Sequence, residues 1–144
     1  MPASQEVLNS IPQRPPFLFV DQVISREGNK IITEKKLTGD EDFFKGHFPG
    51  NPIMPGVLLS EATFQTGALL MCKMKSLATP PMAVVSRISS TKFKNLVRPG
   101  DTLTIEVELT EQLENAYYMK GKIQVAGKTV MNNEFTCTLI EGQV

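Results

Sequence analysis

Alternating apolar and polar positions mark the C-terminal half of the chain as a set of extended strands. Residues 102–109 and 118–125 alternate with a period of two, and residues 134–139 continue the same pattern. Such a period places one set of side chains on a core and the other set toward solvent. Turn-forming residues at 98–101 and 126–128 precede and separate these stretches. The pattern therefore predicts an antiparallel meander.

The N-terminal half predicts a further hairpin. Residues 17–25 and 30–37 are rich in Val, Ile and Phe, which strands favour, and they flank a Gly28-Asn29 turn. Residues 84–93 predict one more strand, and residues 4–10 predict a short helix. The sheet is therefore expected to continue on both sides of the segment at 57–74, which has a different pattern.

Residues 57–74 break the alternation and predict a long helix. The segment contains no proline and many good helix formers, and it is apolar on almost every side. A helix of that kind belongs in the interior of a protein, and Pro55 with Gly56 supplies its start. The expected architecture is therefore α+β, with an antiparallel sheet wrapped around a central helix in one domain spanning residues 1–144.

Composition and charge narrow the class of protein. The 15 basic and 15 acidic side chains balance, which argues against a general nucleic-acid binder. We expect no membrane span, because no apolar run reaches about 18 residues, and no secretory signal peptide at the start of the chain. Cys72 and Cys137 supply neither a disulfide framework nor a zinc-type CxxC spacing, and both are expected to be buried and unreactive. These features favour a reducing, cytoplasmic setting.

The segment at 46–56, GHFPGNPIMPG, is the least regular part of the chain and contains its only histidine, His47. Its three prolines and three glycines exclude both a helix and a central strand. The prolines fix the backbone, while the glycines allow a ligand to approach it closely. A rigid loop that leads into a helix can hold a catalytic group. A structural crossover with an incidental histidine explains the same residues equally well.

Glu61 is the only charged residue of the predicted helix before Lys73. Burial raises the pKa of a carboxyl group and keeps it protonated, as a general acid requires. Alternatively, Glu61 faces a solvated gap or forms a structural ion pair. Gly56 lies about 7.5 Å before Glu61 along a helix axis, and the free N–H groups of the first turn can polarise a carbonyl. With His47 as the base, these residues supply the three functions that β-elimination next to a carbonyl needs.

The residues around this loop resemble those of the (3R)-hydroxyacyl-acyl-carrier-protein dehydratases of type II fatty acid synthesis, the FabZ type. The resemblance rests on GHFPG at 46–50, Pro52, MPGVL at 54–58, Glu61-Ala62 and Gln65, with PPFLFVD at 15–21, KFK at 92–94 and VRPGD at 97–101. These motifs occur in the family's order over roughly residues 11–139. The central run is long and specific, so chance explains it poorly.

The resemblance implies a hot-dog fold, with a homodimer as the basic unit, alone or assembled into a trimer of dimers. The active site would span the dimer interface. His47 of one subunit would be the base toward C2, and Glu61 of the other would assist loss of the C3 hydroxyl. The Gly56 N–H would help to hold the thioester carbonyl. Four further residues are expected near the substrate. Phe48, Pro55 and Val57 would shape the pocket, and Gln65 would support Glu61.

The reaction that the resemblance implies is dehydration of a (3R)-3-hydroxyacyl group on acyl carrier protein to the trans-2-enoyl product in fatty acid biosynthesis. The acyl group would arrive on a phosphopantetheine arm, and no metal or bound organic cofactor is implied. Lys92, Lys94 and Arg98 are candidates for docking the acidic carrier protein, since basic side chains steer such encounters. Alternatively, these three residues are simply a solvated strand end that binds no partner.

Two residues depart from the family pattern: Gln13 stands where many relatives have histidine, and Phe64 stands where a small residue is common. Phe64 would alter the acyl tunnel, so no chain-length preference is carried over. Related dehydratase–isomerases have aspartate at the position of Glu61, so Glu61 favours dehydration alone. Two alternatives share the fold. One is an acyl thioesterase, against which His47 with Glu61 argues, and the other is a non-catalytic acyl-binding subunit, which would be expected to lose one of the two residues.

Overall fold

The computed structural model describes residues 3–75 and 82–140, without the side chains of residues 73–75. The helices and strands, in chain order, are α1 (Gln5–Ser10), β1 (Gln22–Glu27), β2 (Lys30–Lys36), α2 (Phe43–Gly46), α3 (Gly56–Lys75), β3 (Met82–Phe93), β4 (Thr102–Leu113), β5 (Ala116–Val125) and β6 (Lys128–Ile140). The described strands form one sheet in the order β1-β2-β4-β5-β6-β3, and every neighbouring pair is antiparallel. Strand β3 therefore lies at one edge of the sheet, and β1 at the other.

The predicted meander is present as β4, β5 and β6. Ile105 of β4 lies opposite Ile123 of β5, and Met119 of β5 lies opposite Phe135 of β6. These four side chains are fully buried, which confirms the alternation read from the sequence. The pairing of β4 with β5 continues to Leu113, beyond the alternating stretch. The β4 side chains there are exposed, while Tyr117 of β5, opposite Gln112, is buried, so backbone hydrogen bonds and the packing of this ring both hold the extension.

The long helix α3 packs against five of the strands, β2 to β6. Leu59, Leu69 and Met71 are buried on different sides of the helix, as its apolar sequence predicts. Gly67 brings the helix close to the sheet, because a Cβ there would lie 3.0 Å from the Met119 Sδ. This arrangement confirms the predicted hot-dog fold, an antiparallel sheet wrapped around a long central helix. Within the described residues no helix, α3 included, is long and apolar enough to cross a membrane.

Strand β1 begins at Gln22, later than the predicted start at residue 17. The segment at 17–21 runs alongside α3, where the Phe19 N–H donates a hydrogen bond to the Gln65 Oε1 at 2.8 Å. Leu18 and Phe19 are buried there. The apolar pattern of residues 17–21 therefore reflects their burial against the helix, and pairing in the sheet starts only at Gln22.

A one-turn helix that the sequence pattern did not predict, α2, immediately precedes His47. Its rings Phe43 and Phe44 lie 4.5 Å apart between centroids, and Phe44 is buried. Four residues are too few to show a helical period, which explains why the pattern missed this element. Gly46 ends the helix, and His47 follows as its C-cap residue. The histidine is thus positioned by a short helix on one side and a loop on the other.

Candidate active site

Residues 47–54 form a loop that is closed by paired hydrogen bonds. The Ile53 N–H donates to the His47 carbonyl at 2.8 Å, and the His47 Nδ1 lies 2.9 Å from the Ile53 carbonyl oxygen. Phe48 and Asn51 exchange backbone hydrogen bonds of 3.2 and 2.9 Å. Gly50 sits in the turn between them at φ 79°, a conformation that glycine adopts without a steric penalty. We call residues 47–54 the His47 loop.

Two contacts attach the His47 loop to the chain just before β4. The Met54 N–H donates to the Val97 carbonyl at 2.8 Å, and both side chains are buried. The Arg98 Nη1 donates to the Asn51 Oδ1 at 3.0 Å. Arg98, a predicted docking residue, therefore also supports the loop that carries His47.

The contacts of His47 define which ring nitrogen can react. A carbonyl oxygen only accepts hydrogen bonds, so Nδ1 carries the hydrogen in its bond to the Ile53 oxygen. In the neutral ring Nε2 then keeps a free lone pair and can act as a base. The half-buried ring stacks on Phe48, with centroids 4.1 Å apart and planes inclined by 25°. Both the tautomer and the orientation of the imidazole are therefore set by the His47 loop.

Helix α3 begins at Gly56, two residues after the end of the His47 loop. The Pro55 carbonyl accepts hydrogen bonds from the Leu58 and Leu59 N–H groups at 3.0 and 3.1 Å. The first turn contains no acidic side chain that would offset the positive end of the helix dipole. A Cβ at position 56 would lie 3.0 Å from the Phe93 ring, so glycine permits this close packing. Phe93 was not predicted at the site, because the KFK motif drew attention to its two lysines.

Glu61 is oriented by Gln65, one helical turn further along α3. The Gln65 Nε2 donates to the Glu61 Oε2 at 3.1 Å and to the Phe17 carbonyl at 3.0 Å. The Gln65 Oε1 accepts the hydrogen bond from the Phe19 N–H. Gln65 itself is fully buried. One carboxylate oxygen of Glu61 is therefore fixed by a side chain whose own position is fixed by the segment at 17–19.

Glu61 lines a cavity of about 450 Å³. The cavity lies between α3 and the edge strand β3, and its lining consists of Glu61, Phe64 and Ala68 of α3, four residues of β3 (Ala83, Val84, Val85 and Ile88), Cys137 of β6 and Gln13. We call it the Glu61 cavity. Apart from the carboxyl group, the Gln13 amide and the thiol, its walls are apolar. Such a space accommodates an apolar chain attached to a polar reacting group.

The Glu61 cavity changes the acidity of its own residues. Burial raises the pKa of the Glu61 carboxyl, and the hydrogen bond from Gln65 lowers it by a smaller amount. Burial also raises the pKa of the Cys137 thiol to about 12, with a further contribution from the charge of Glu61. Glu61 is thus suited to donate a proton, while Cys137 stays protonated and unreactive.

The residues that line the Glu61 cavity do not include His47. Near the His47 loop, Phe48 is 51% exposed and Val57 is 75% exposed. Pro55 is half-buried between them at the start of α3. We call these two regions the half-sites: one contains His47 and an exposed apolar surface, and the other contains Glu61 and its cavity.

The three predicted docking residues have different surroundings. Lys92 lines a polar groove of about 380 Å³ on the sheet, together with the acidic residues Glu106 and Glu134. Lys94 is exposed just beyond the end of β3. Arg98 is exposed and bonded to the His47 loop. Of the three, Arg98 has the most direct link to the histidine.

The possible metal ligands and the two cysteines complete the description of the site. Within residues 3–75 and 82–140, no group of three or more His, Cys, Asp and Glu side chains could hold a metal ion. Independence of a metal or organic cofactor stays a prediction. Both cysteines are free. Cys137 is buried as predicted, but Cys72 is only half-buried, which corrects the expectation for that residue.

Comparison with known families identifies the class of protein to which this fold and these half-sites belong. Residues 11–134 match the FabA-like domain, and the chain belongs to this family. Within the family it is similar to proteins named 3-hydroxyacyl-[acyl-carrier-protein] dehydratase FabZ. The Caulobacter sp. (strain K31) relative is 41% identical over 94% of this chain and 85% of its own length. The Aromatoleum aromaticum relative is 42% identical over 93% of this chain and 94% of its own length. The predicted family is confirmed.

Solved structures support the fold. A chain of the dehydratase heterocomplex ApeI:P from Xenorhabdus doucetiae superposes with a TM-score of 0.82 and 18% identity, covering 94% of this chain and 91% of that one. A hypothetical thioesterase with coenzyme A from Streptococcus pneumoniae gives a TM-score of 0.66 and 15% identity, over 85% and 87% of the two chains. At these identities the likeness concerns the fold alone, which dehydratases and thioesterases share.

Proposed function

We propose that this chain is a hydro-lyase that dehydrates (3R)-3-hydroxyacyl-acyl-carrier-protein to trans-2-enoyl-acyl-carrier-protein in fatty acid biosynthesis. Relatives that are 41% and 42% identical over nearly the whole chain carry the name of this activity. Their likeness supports the predicted enzyme class. Among the structural findings, the environment of Glu61 supports it most directly.

The observation that carries the proposal is a carboxyl group with a raised pKa in the wall of an apolar cavity. A hydroxyl group is a poor leaving group unless it receives a proton as the C–O bond breaks. Glu61 is the residue suited to give that proton, because burial favours its neutral form. The bond from Gln65 fixes one oxygen, which leaves the other free to face the substrate.

In the proposed reaction His47 Nε2 removes the proton from C2 of the acyl group. The C2–H electron pair forms the C2=C3 double bond as the C3–O bond breaks, and Glu61 protonates the departing hydroxyl to give water. Negative charge that develops on the thioester oxygen is stabilised by the Gly56 N–H at the positive end of α3. The proton on His47 then returns through solvent to the Glu61 carboxylate, which restores both groups.

The substrate's thioester would lie at the start of α3, between the two half-sites. Phe48, Pro55 and Val57 supply apolar contacts there, and two of them have large exposed surfaces. Gln65 would act on the substrate only through Glu61. The phosphopantetheine arm would approach from the side of the His47 loop, since the Glu61 cavity is reserved for the acyl tail.

The proposed active unit is a homodimer formed through β3, in which His47 of one subunit meets Glu61 of the other. Strand β3 is an edge strand with free backbone groups along one side. Val84, Ile88 and Phe93 are 37%, 54% and 53% exposed on this strand, an unusual set of apolar side chains for a solvent-facing edge. Pairing of two copies would cover these side chains and bring the half-sites together. A trimer of such dimers is a further prediction.

The proposed partner is acyl carrier protein, met in the cytoplasm. Lys94 and Arg98 are exposed basic side chains, and Arg98 contacts the His47 loop through Asn51. An acidic carrier attracted to these residues would deliver its phosphopantetheine arm close to His47. Lys92 is a weaker candidate, because three glutamates in its groove (Glu106, Glu108 and Glu134) balance the three lysines there (Lys92, Lys120 and Lys122).

The experiment that tests the function is turnover of 3-hydroxyacyl groups loaded on acyl carrier protein, with the water loss followed as enoyl product. His47→Ala and Glu61→Gln should each lower kcat by about 10² to 10⁴ while leaving the fold intact. Glu111→Gln is the matched control, because Glu111 is exposed and far along the β4–β5 extension; it should leave turnover unchanged. Release of free acid would instead identify a thioesterase. Binding of the loaded carrier without any product would identify a non-catalytic acyl-binding subunit.

A further inference from the structure

We infer that Phe64 determines which acyl chains this protein accepts, by placing its ring beside the path of the acyl tail a few carbons beyond C3. The inference rests on the proposed dehydration, because it takes Glu61 as the group that meets the C3 hydroxyl. It adds a specificity-determining residue that is separate from the residues assigned to the chemistry.

The orientation of the Glu61 cavity follows from the packing of α3 against β3. Phe93, at the C-terminal end of β3, packs against Gly56 at the N-terminal end of α3. The strand therefore runs opposite to the helix, with Ile88 toward the Glu61 end and Ala83 toward the Ala68 end. A tail that starts at Glu61 extends along the helix toward Ala68.

Phe64 stands partway along this path. Glu61, Phe64 and Ala68 occupy positions i, i+3 and i+7 and so share one face of the helix, which is the face that lines the cavity. Phe64 lies about 4.5 Å beyond Glu61 along the helix axis, and Ala68 about 10.5 Å beyond it. An extended acyl tail advances by roughly 1.3 Å per carbon, given its bond lengths. The tail therefore meets Phe64 at about three or four carbons beyond C3.

The ring of Phe64 is not free to move out of this path. It packs edge-on against Phe135, with centroids 4.9 Å apart and planes at 65°. Phe135 is buried in the core of the sheet. Beyond Phe64 the helix side of the cavity is lined by the small Ala68. The ring is thus the bulkiest side chain that α3 contributes to the cavity, and short tails end before they reach it.

The test is a comparison of kcat/KM for 3-hydroxyacyl chains of 4, 8, 12 and 16 carbons on acyl carrier protein, in the native protein and in Phe64→Ala, Phe64→Leu and Phe64→Trp. Each methylene that gains a buried position favours binding by about fourfold. Phe64→Ala should raise the ratio of the 12-carbon to the 4-carbon substrate on the order of tenfold or more, Phe64→Leu by less, and Phe64→Trp should lower it. The 4-carbon substrate, with one carbon beyond C3, should be affected little.

Controls separate this inference from the proposed function. Tyr118→Ala removes a half-buried ring that does not line the cavity, and its chain-length ratio should equal that of the native protein. If the native protein dehydrates none of the substrates, the proposed function fails. If it dehydrates the 4-carbon substrate but the ratio stays the same in folded Phe64→Leu and Phe64→Trp variants, the assignment of Phe64 is wrong. A thermal melt of each variant identifies any that does not fold, and Leu is the mildest of the three.

Discussion

The two half-sites are held in place by different kinds of contact. The hydrogen bonds that close the His47 loop join residues at most six positions apart. Gln65, which orients Glu61, bonds instead to Phe17 and Phe19 across 48 and 46 positions. His47 therefore lies on a loop that is closed by short-range bonds and attached to the chain by two further contacts, at Val97 and Arg98, while Glu61 depends on the packing of the N-terminal segment against α3. Damage to the first should affect mainly turnover, and damage to the second should affect stability as well.

Mixing two inactive variants should produce the largest effect, because it tests whether the half-sites that meet belong to different subunits. His47→Ala and Glu61→Gln proteins, each nearly inactive, should regain up to about a quarter of native activity after subunit exchange. Half of the dimers in an equal mixture are mixed, and each of these has one intact site of two. Sedimentation should show that both variants remain dimers. Failure to regain activity despite exchange would place both residues of one site in a single subunit.

Gln65→Leu should give the next largest effect and sharpen the contrast between local and long-range support. The substitution leaves the Phe19 N–H and the Phe17 carbonyl without their partner, and the unfolding free energy should fall by about 2–4 kcal/mol. Urea denaturation measures this change. Gln5→Leu, which removes an exposed amide bonded to Asn9, should change the unfolding free energy by less than about 0.5 kcal/mol. An equal effect of both variants would mean that Gln65 has no special structural role.

The pH dependence of stability should distinguish Glu61 from Glu41, whose environments shift the pKa in opposite directions. Glu61 has a raised pKa in the folded state, so its contribution is most favourable at low pH and is lost as the pH rises from about 4.5 through the folded value. For Glu41, burial raises the pKa, but hydrogen bonds from the Thr38 and Gly39 N–H groups outweigh it and the net pKa is lowered. Its contribution is present above 4.5 and is lost as the pH falls through the folded value.

Glu61→Gln and Glu41→Gln should therefore change the stability–pH curve with opposite signs. Relative to the native protein, Glu61→Gln should become more stable as the pH rises from 4 to 8, and Glu41→Gln should become less stable over the lower part of that range. Denaturant titrations at several pH values measure both curves. Parallel curves for the two variants would contradict the assigned directions.

Asn51→Ala should have the smallest effect. It removes the exposed bond to Arg98 but leaves all the backbone hydrogen bonds of the His47 loop in place. We expect a loss of about 0.5–1 kcal/mol of unfolding free energy and a decrease in kcat of a few-fold. Arg98→Lys, which keeps the charge, should retain any effect of Arg98 on the KM for loaded carrier protein while losing its bond to Asn51. A large loss of turnover in Asn51→Ala would show that the loop is less self-sufficient than its backbone bonds indicate.

The local half-site was the more predictable of the two. His47 is the only histidine of the chain, and Glu61 is the only charged residue of the predicted helix before Lys73, so both were identified from the sequence. The prolines and glycines of the His47 loop also predicted that it is rigid. The alternation of β4 to β6 was equally readable, since each strand has one buried face. The Glu61 cavity was not, because Gln13, Cys137 and the residues of β3 come together only through the path of the sheet. The start of β1 was predicted at residue 17 and lies at Gln22. The sequence could not show this, because apolar residues form the same pattern whether they pair in a sheet or pack on a helix.

The close packing of Gly67 against the sheet limits which substitutions the cavity wall can accept. A Cβ at this position would lie 3.0 Å from the Met119 Sδ and 3.3 Å from the Phe135 ring, and that ring supports Phe64 in the cavity wall. Position 67 therefore influences the shape of the cavity without touching it. A search for variants with a new substrate range would gain from including this glycine, since one added methyl group there would push on Phe135 and, through it, on Phe64 in the cavity wall.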